Sequence, residues 1–379
     1  MDFPSHLKGY EALFEQEPRA AALKWFQDAK FGLFVHYTLA SLLPYGKPEL
    51  LELVADAPHL MNVMEAAPEE LADMDMSDAD RDRCLAIKHD MMNRFTAEKF
   101  DADAICDLAE AAQMQYVTFT TKHLMGLFMY KNSLTEYSSV NTAAGRDLVA
   151  EMVRACQKRG LGYFHYVPPE FAITTDPLYE RNHTLLRELL TNYGPVAGIW
   201  FDGIGKFYNN PENYTRLSET FALVRELQPH CLISFKEGAI GEEDFRSPEH
   251  FLLPDPVDWQ DEKRQAQWEK RLARWKKNDG PRHHLLADKP VEINSTMQVC
   301  MNRDGEGDPG GWVNDEHARH LNADEVWFLL SVARSKGANF LMNIGPRGDG
   351  SVHPDDDRAL RAVGGRIREQ GFPEHEVNQ

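Results

Sequence analysis

Seven short apolar runs, each followed by a helical pattern, constrain the fold of this chain more than any other feature. They occupy residues 31–36, 115–120, 161–167, 196–202, 231–235, 291–295 and 339–344. Apolar runs this short suit strands buried on both faces, and strands separated by helices pair in parallel. The intervening segments carry apolar residues at helical spacing. Residues 101–113 place Ile105, Leu108, Ala109 and Ala112 on one face, and residues 146–159 do the same with Leu148, Val149, Met152, Val153 and Cys156. Gly160 follows as a helix stop, and residues 324–335 and 355–368 repeat the scheme.

Polar side chains stand at the ends of these runs along the whole chain: His36, Lys122, His123, Tyr166, Asp202, Lys236, Glu237, Glu292 and Asn343. A doubly wound open sheet gathers its working residues at one switch point, whereas a barrel spreads them around a ring. The spread predicts an α/β fold, a slightly irregular (β/α)8 TIM barrel with its eighth strand still unassigned. One catalytic domain over residues 1–379 is expected, with two insertions inside it. Residues 47–93 are acidic and rich in methionine. Residues 254–290 carry a charged helical pattern with Trp268, Leu272 and Trp275 on one face. That second stretch reads as a surface helix packed by its tryptophans; a lid over the barrel mouth is the functional alternative.

Charge narrows the partners. A formal net charge of −19 repels polyanions, so neither nucleic acid nor an anionic membrane surface is expected. No run of eighteen apolar residues exists to span a bilayer. Residues 1–19 are polar and lack the apolar stretch of a signal peptide, so a soluble cytoplasmic protein is expected, or a secreted one if such a peptide has been removed. Cys84, Cys106, Cys156, Cys231 and Cys300 are scattered without C-x-x-C spacing and read as buried free thiols. No cofactor and no resident metal are expected, and oligomeric state is not legible.

The fourth run ends in Trp200-Phe201-Asp202-Gly203. A carboxylate at the carboxyl end of a parallel strand stands where a barrel keeps its chemistry, and a buried aspartate needs a partner or a task. The strand-end set as a whole combines carboxylates, histidines and aromatic rings. Aromatic faces suit the C–H surface of a sugar, and imidazoles bond hydroxyls without a fixed charge. Two carboxyl groups are what glycoside hydrolysis uses.

At this point several motifs, in order, resemble the α-L-fucosidases of glycoside hydrolase family twenty-nine. Trp25-Phe26-Gln27-Asp28-Ala29-Lys30-Phe31-Gly32-Leu33-Phe34-Val35-His36 is similar to the family's opening WF-x-DAKFG-x-F-x-H. Residues 95–101, 116–123, 137–142 and 145–149 resemble its following segments, and Trp200 to Gly203 its nucleophile motif. Glu292 to Met297 with Gly311-Trp312 looks like its WE…T…SWGY region, and residues 335–346 with Asp349-Gly350 like its last strand and loop. The resemblance runs from about Trp25 to Ile367. It implies a retaining glycosidase that cleaves an α-L-fucoside or a related α-L-sugar through a covalent glycosyl-enzyme, with a carbohydrate as its partner. It makes Asp202 the nucleophile and lines the sugar pocket with His36, His123, Tyr166 and Trp200. Arg246 is implied to bond a ring hydroxyl, and Trp312 to wall the apolar side of the sugar. Glu292 is the implied acid/base, with Glu249 and Glu237 as rivals.

Departures from the pattern bear on the substrate. The family's KHHDGF is here Lys122-His123-Leu124-Met125-Gly126-Leu127, and its HWG is His36-Tyr37-Thr38. No segment resembles the family's C-terminal β-sandwich. Fewer hydroxyl partners suggest a different sugar, or a catalytically reduced sugar-binding homologue as the alternative function. A metal-dependent hydrolase built on His36, His123, His165 and Asp202 is a third reading. Strand alternation weighs against it, because His165 should face away from Tyr166.

Overall fold

The computed structural model describes residues 3–43, 60, 66–72, 74–168, 176–203, 213–248, 266, 269–270, 273, 286–301 and 307–373. All seven expected strands form: β1 (Phe31–Val35), β2 (Tyr116–Thr120), β3 (Gly162–Val167), β4 (Gly198–Phe201), β5 (Leu232–Phe235), β6 (Glu292–Thr296) and, as β10, Asn339–Ile344. Three short antiparallel strands not anticipated from the sequence intervene: β7 (Gln298–Met301), β8 (Gly307–Gly311) and β9 (Arg319–His320). The parallel sheet is ordered β5-β4-β3-β2-β1-β10-β6.

Residues 244–247 join its two edges. On the β5 side, Asp244 N–H donates to the Ile233 carbonyl (2.7 Å) and Ser247 N–H to that of Lys236 (2.6 Å). On the β6 side, Arg246 N–H donates to the Pro290 carbonyl (3.0 Å), and Glu292 N–H to that of Arg246 (2.9 Å). Phe245 pairs in parallel with Ser234, and Arg246 with Val291. This single rung is the missing eighth strand. Asp-Phe-Arg-Ser has no apolar run to announce it.

The helices are α1 (Glu11–Gln16), α2 (Pro18–Ala29), α3 (Pro68–Leu71), α4 (Asp78–Arg94), α5 (Ala102–Ala111), α6 (Leu148–Arg159), α7 (Asp176–Asn192), α8 (Asn213–Leu227), α9 (Ala323–Ser335) and α10 (Pro354–Gln370). Their boundaries follow local chemistry. The side chains of Asp101, Asp147 and Asn322 accept the free amides of Ala104 (3.0 Å), Ala150 (2.8 Å) and Asp324 (2.9 Å), each such cap stabilising a helix by about 1 kcal/mol. Gly160 ends α6 in the left-handed conformation (φ 70°).

Strand alternation sorts the apolar residues into two bodies. Leu33, Val35, Val117, Phe119, Ile199, Phe201, Ile233, Phe235, Phe340 and Met342 face outward into the layer shared with the helices. Phe34, Tyr116, Phe164, Tyr166, Trp200, Leu232, Phe245 and Leu341 face inward, joined by Trp25 and Phe26 of α2. Those two rings plug the amino end of the barrel, so any ligand must enter at the carboxyl end. Within the first insertion, Glu70 of α3 reaches the end of β2 and pairs with Lys122 (2.9 Å), both side chains buried. The tryptophan pattern at 268–275 lies outside the described residues. Among the described residues no helix is long and apolar enough to cross a membrane, and Cys84, Cys106, Cys156 and Cys231 are buried free thiols.

Gly198, the first residue of β4, fixes the spacing of strands beneath the carboxylate. A Cβ there would lie 2.4 Å from the Phe164 ring and 2.5 Å from the Leu232 carbonyl oxygen. Gly198→Ala is therefore expected to destabilise the protein by about 1–3 kcal/mol, read as a lower midpoint of urea unfolding. An unchanged midpoint would contradict this packing.

Candidate active site

Asp202 follows β4 directly, so its side chain emerges at the carboxyl mouth. Its Oδ2 accepts the Tyr166 hydroxyl at 2.5 Å, and its Oδ1 accepts the Gly203 amide at 2.5 Å and faces the Lys236 ammonium at 2.8 Å. Burial pushes the carboxyl up, but the ammonium and these donors outweigh it and hold Asp202 far below the usual carboxylate range. The group stays ionised while a quarter of its side-chain surface (26%) remains open to solvent.

Aromatic and imidazole rings surround it. Tyr166 stacks on Trp200 (centroids 5.6 Å apart, 21° between planes), and Lys236 lies 5.0 Å over the same indole. His36 meets His123 edge-on at 4.9 Å and lies 5.5 Å from Tyr166 and 5.2 Å from Trp312. Burial, then the neighbouring His123, push His36 well below its ordinary value, so the ring is neutral. Its Nδ1 sits 2.6 Å from Asn343 Oδ1. Asn343 also donates to the Trp312 carbonyl (2.9 Å) while Thr296 donates to that of Gly311 (2.6 Å). Two strand-end side chains thereby pin the Gly311-Trp312 segment against the mouth. Among the described residues the result is a pocket with an ionised Asp202, the neutral His36 beside His123, and three aromatic walls.

Glu292 stands elsewhere. It is the first residue of β6, at the amino end of the barrel, and is 1% exposed. Its Oε2 accepts the Tyr116 hydroxyl (2.6 Å), and its Oε1 accepts the Trp200 indole N–H (2.9 Å) and the Ser247 hydroxyl (3.2 Å). Burial raises its pKa to about 7 against the lowering effect of those three donors. The Trp200 indole thus intervenes between the two carboxyl groups. The placement expected for Glu292, a strand end facing Asp202, is not the one found.

The structure gathers His36, His123, Tyr166, Trp200, Asp202 and Trp312 into one group. Arg246 takes the other face of its segment: its neighbours Phe245 and Ser247 point inward, and its guanidinium lies 3.7 Å from Glu237. Glu249 lies outside the described residues. His165 packs outside the barrel beside Tyr163 (4.9 Å) and Tyr193 (6.1 Å), so the three-histidine metal reading is not assembled. Among the described residues, His320, His353 and Asp356 are a group with metal-compatible spacing. They lie on β9 and the start of α10, with His320 Nδ1 already 2.5 Å from Asp356 Oδ1. A cleft of about 710 Å³ lined by Ser41, Thr96, Arg347, Gly348 and others shares no residue with the Asp202 group. Leu124 and Met125, where a histidine and an aspartate would be expected, are buried in the core. Their carbonyls accept Thr38 Oγ1 (2.6 Å) and Lys88 Nζ (2.7 Å) respectively. From the sequence, Lys236 and Asn343 read only as strand-end polar residues. The signal that could have assigned them is their level on neighbouring strands, which needs the register.

A family model described as Alpha-L-fucosidase matches residues 4–371. The tissue alpha-L-fucosidase of Rattus norvegicus is 24% identical over 359 residues, covering 90% of this chain and 67% of the relative. The plasma alpha-L-fucosidase of the same species is 24% identical over 387 residues, covering 97% and 74%. Among solved structures, alpha-L-fucosidase isoenzyme 1 from Paenibacillus thiaminolyticus aligns with a TM-score of 0.63 at 22% identity, over 96% of this chain and 80% of that one. Alpha-L-fucosidase AlfC from Lactobacillus casei, in complex with its alpha-L-fucose product, aligns at 0.62 and 21%, over 92% and 98%. At these identities the structures share a fold with this chain.

Glu292 makes stability depend on pH in a definite direction. The unfolded chain releases its proton near the ordinary value of 4.5, and the folded protein holds it to about 7. The contribution of Glu292 is full below pH 4.5 and is lost as pH rises to 7, a fall on the order of 3 kcal/mol. Glu292→Gln, which preserves an acceptor for the indole, should remove that fall. Urea unfolding at pH 5 and pH 7.5 checks it: parallel losses in both proteins would refute the burial argument.

Proposed function

The chain belongs to the alpha-L-fucosidase family and is a glycosidase, and from that footing we propose that it hydrolyses an α-L-fucoside, or a closely related α-L-sugar, with retention of configuration. The observation that carries the reading is Asp202, held ionised at the barrel mouth among aromatic side chains, the neutral His36 imidazole and His123. In this mechanism the carboxylate attacks the anomeric carbon as the leaving oxygen takes a proton, and water then hydrolyses the glycosyl ester. Trp312 and Trp200 suit the apolar surfaces of the sugar, and His36 and His123 its hydroxyls.

The proton donor must touch the glycosidic oxygen, and geometry takes precedence over pKa in choosing it. Glu292 has a favourable proton affinity but lies beneath the Trp200 indole with both oxygens engaged. Glu237 is turned towards Arg246. Ser247 is bonded to the carbonyl of Lys236, at the level of Asp202, and Glu249 follows it by two positions in the chain. These facts favour Glu249 as the donor and Glu292 as a brace for the floor.

Asp202→Ala should lower turnover of an aryl α-L-fucoside by more than about 10⁴-fold, with azide restoring part of it as a glycosyl azide. Proton NMR should show the first-formed sugar in the α configuration. Glu249→Gln should cost about 10²- to 10⁴-fold on a poor leaving group and much less on a dinitrophenyl one; Glu292→Gln should show no such leaving-group dependence. The reverse pattern would return the acid role to Glu292. Sugar affinity by calorimetry with no cleavage by the wild type would support the binding-protein alternative raised by Leu124 and Met125.

A further inference from the structure

Resting on Asp202 as nucleophile, we propose that Lys236 is a catalytic residue whose ammonium shortens the life of the glycosyl-enzyme by favouring Asp202 as a leaving group. β4 and β5 pair in parallel with Phe201 opposite Phe235, so Asp202 and Lys236 are the next rung beyond the sheet. The ion pair is 2.8 Å long, and the lysine side chain is 15% exposed. Its backbone is left-handed (φ 48°), a conformation that costs a residue with a Cβ about 1–2 kcal/mol. Such strain persists where the surroundings impose it. Here the Lys236 carbonyl is held by Ser247 N–H, and the turn is closed by Gly238 N–H on the Phe235 carbonyl (2.8 Å). The Trp200 face 5.0 Å away steadies the ammonium over the pocket floor. The turn therefore aims one positive charge at the atom group that reacts.

The consequence follows from the charge balance of the two steps. In the first, a C–O bond forms between an Asp202 oxygen and the anomeric carbon, the bond to the leaving oxygen breaks, and the donor's proton goes to that oxygen. The carboxylate becomes a neutral ester, and the Lys236–Asp202 attraction is lost in an aromatic surround where charge interactions are strong. In the second, the deprotonated donor takes a proton from water as the water oxygen adds to the anomeric carbon, the bond to Asp202 breaks, and the electron pair returns to the carboxylate. The ion pair re-forms in that step. Lys236 thus raises the ester relative to the free carboxylate, which slows glycosylation and speeds deglycosylation.

The test is Lys236→Met beside Lys236→Arg, in the full chain, on whichever aryl α-L-glycoside the wild type cleaves. With the charge removed, nitrophenol should be released in a pre-steady-state burst. Both kcat and KM should fall by about tenfold or more while kcat/KM changes less. The acidic limb of kcat/KM should also rise by at least about one pH unit, as expected when a carboxylate loses its cationic neighbour. Lys236→Arg should keep wild-type kinetics without a burst. A burst of equal size in both variants, or kcat and kcat/KM falling together in Lys236→Met with no burst and an unmoved limb, would overturn the proposal. So would a folded but inactive Lys236→Met. Lys236→Gln serves as the neutral variant if the methionine protein does not fold. Retained turnover in Asp202→Ala would instead refute the nucleophile assignment itself, a separate outcome.

Discussion

The Trp200 indole couples the sealed floor of this barrel to its open mouth. Its N–H donates downward to Glu292, one face stacks on Tyr166, and Lys236 lies over the ring. Phe34 packs on it edge-on at 5.6 Å. Aromatic pairs of this kind contribute about 0.5–1.5 kcal/mol beyond the area they bury, so the ring is fixed from several sides. Because it intervenes between two carboxyl groups, the same barrel creates two opposite electrostatic environments. Below it, burial dominates and Glu292 keeps its proton. Above it, Lys236 together with the Tyr166 and Gly203 donors outweighs burial, and Asp202 loses one.

The irregular closure of the sheet matters as much. A full eighth strand would present a regular row of side chains, whereas residues 244–247 supply one rung between β5 and β6. Phe245 fills the interior, Ser247 bonds Glu292, and Arg246 turns to Glu237. This short rung ties the base of β6 to the turn that carries Lys236. It holds the floor and the charged pair at the mouth in one hydrogen-bonded frame.

The pocket's composition bears on what it discriminates. Leu124 and Met125 are folded into the core with their carbonyls bonded to Thr38 and Lys88. Polar groups that must be matched give a site its strongest discrimination, whereas apolar walls separate ligands by only about 1–3 kcal/mol per methylene. Among the described residues the site offers His36, His123, Lys236 and Asp202 as polar groups and Trp200, Trp312 and Tyr166 as aromatic walls.

The seven strands, most of the helices and the Asp202 motif were legible in the chain, because apolar runs, helical spacing and caps are local properties. The position of Asp202 at the mouth followed from strand direction alone. What the sequence could not reveal was level and facing. Glu292 reads as a strand-end acid until its strand is seen to begin there, and Arg246 reads as a sugar ligand until alternation turns it outward. The eighth strand is not legible in the chain because Asp-Phe-Arg-Ser has no pattern of its own and pairs only between two completed edges. Lys236 became Asp202's partner by the same route. Which strand lies beside which, and at what register, depends on hydrogen bonds between residues far apart in sequence, so the ion pair at the centre of the site was decided by the tertiary structure.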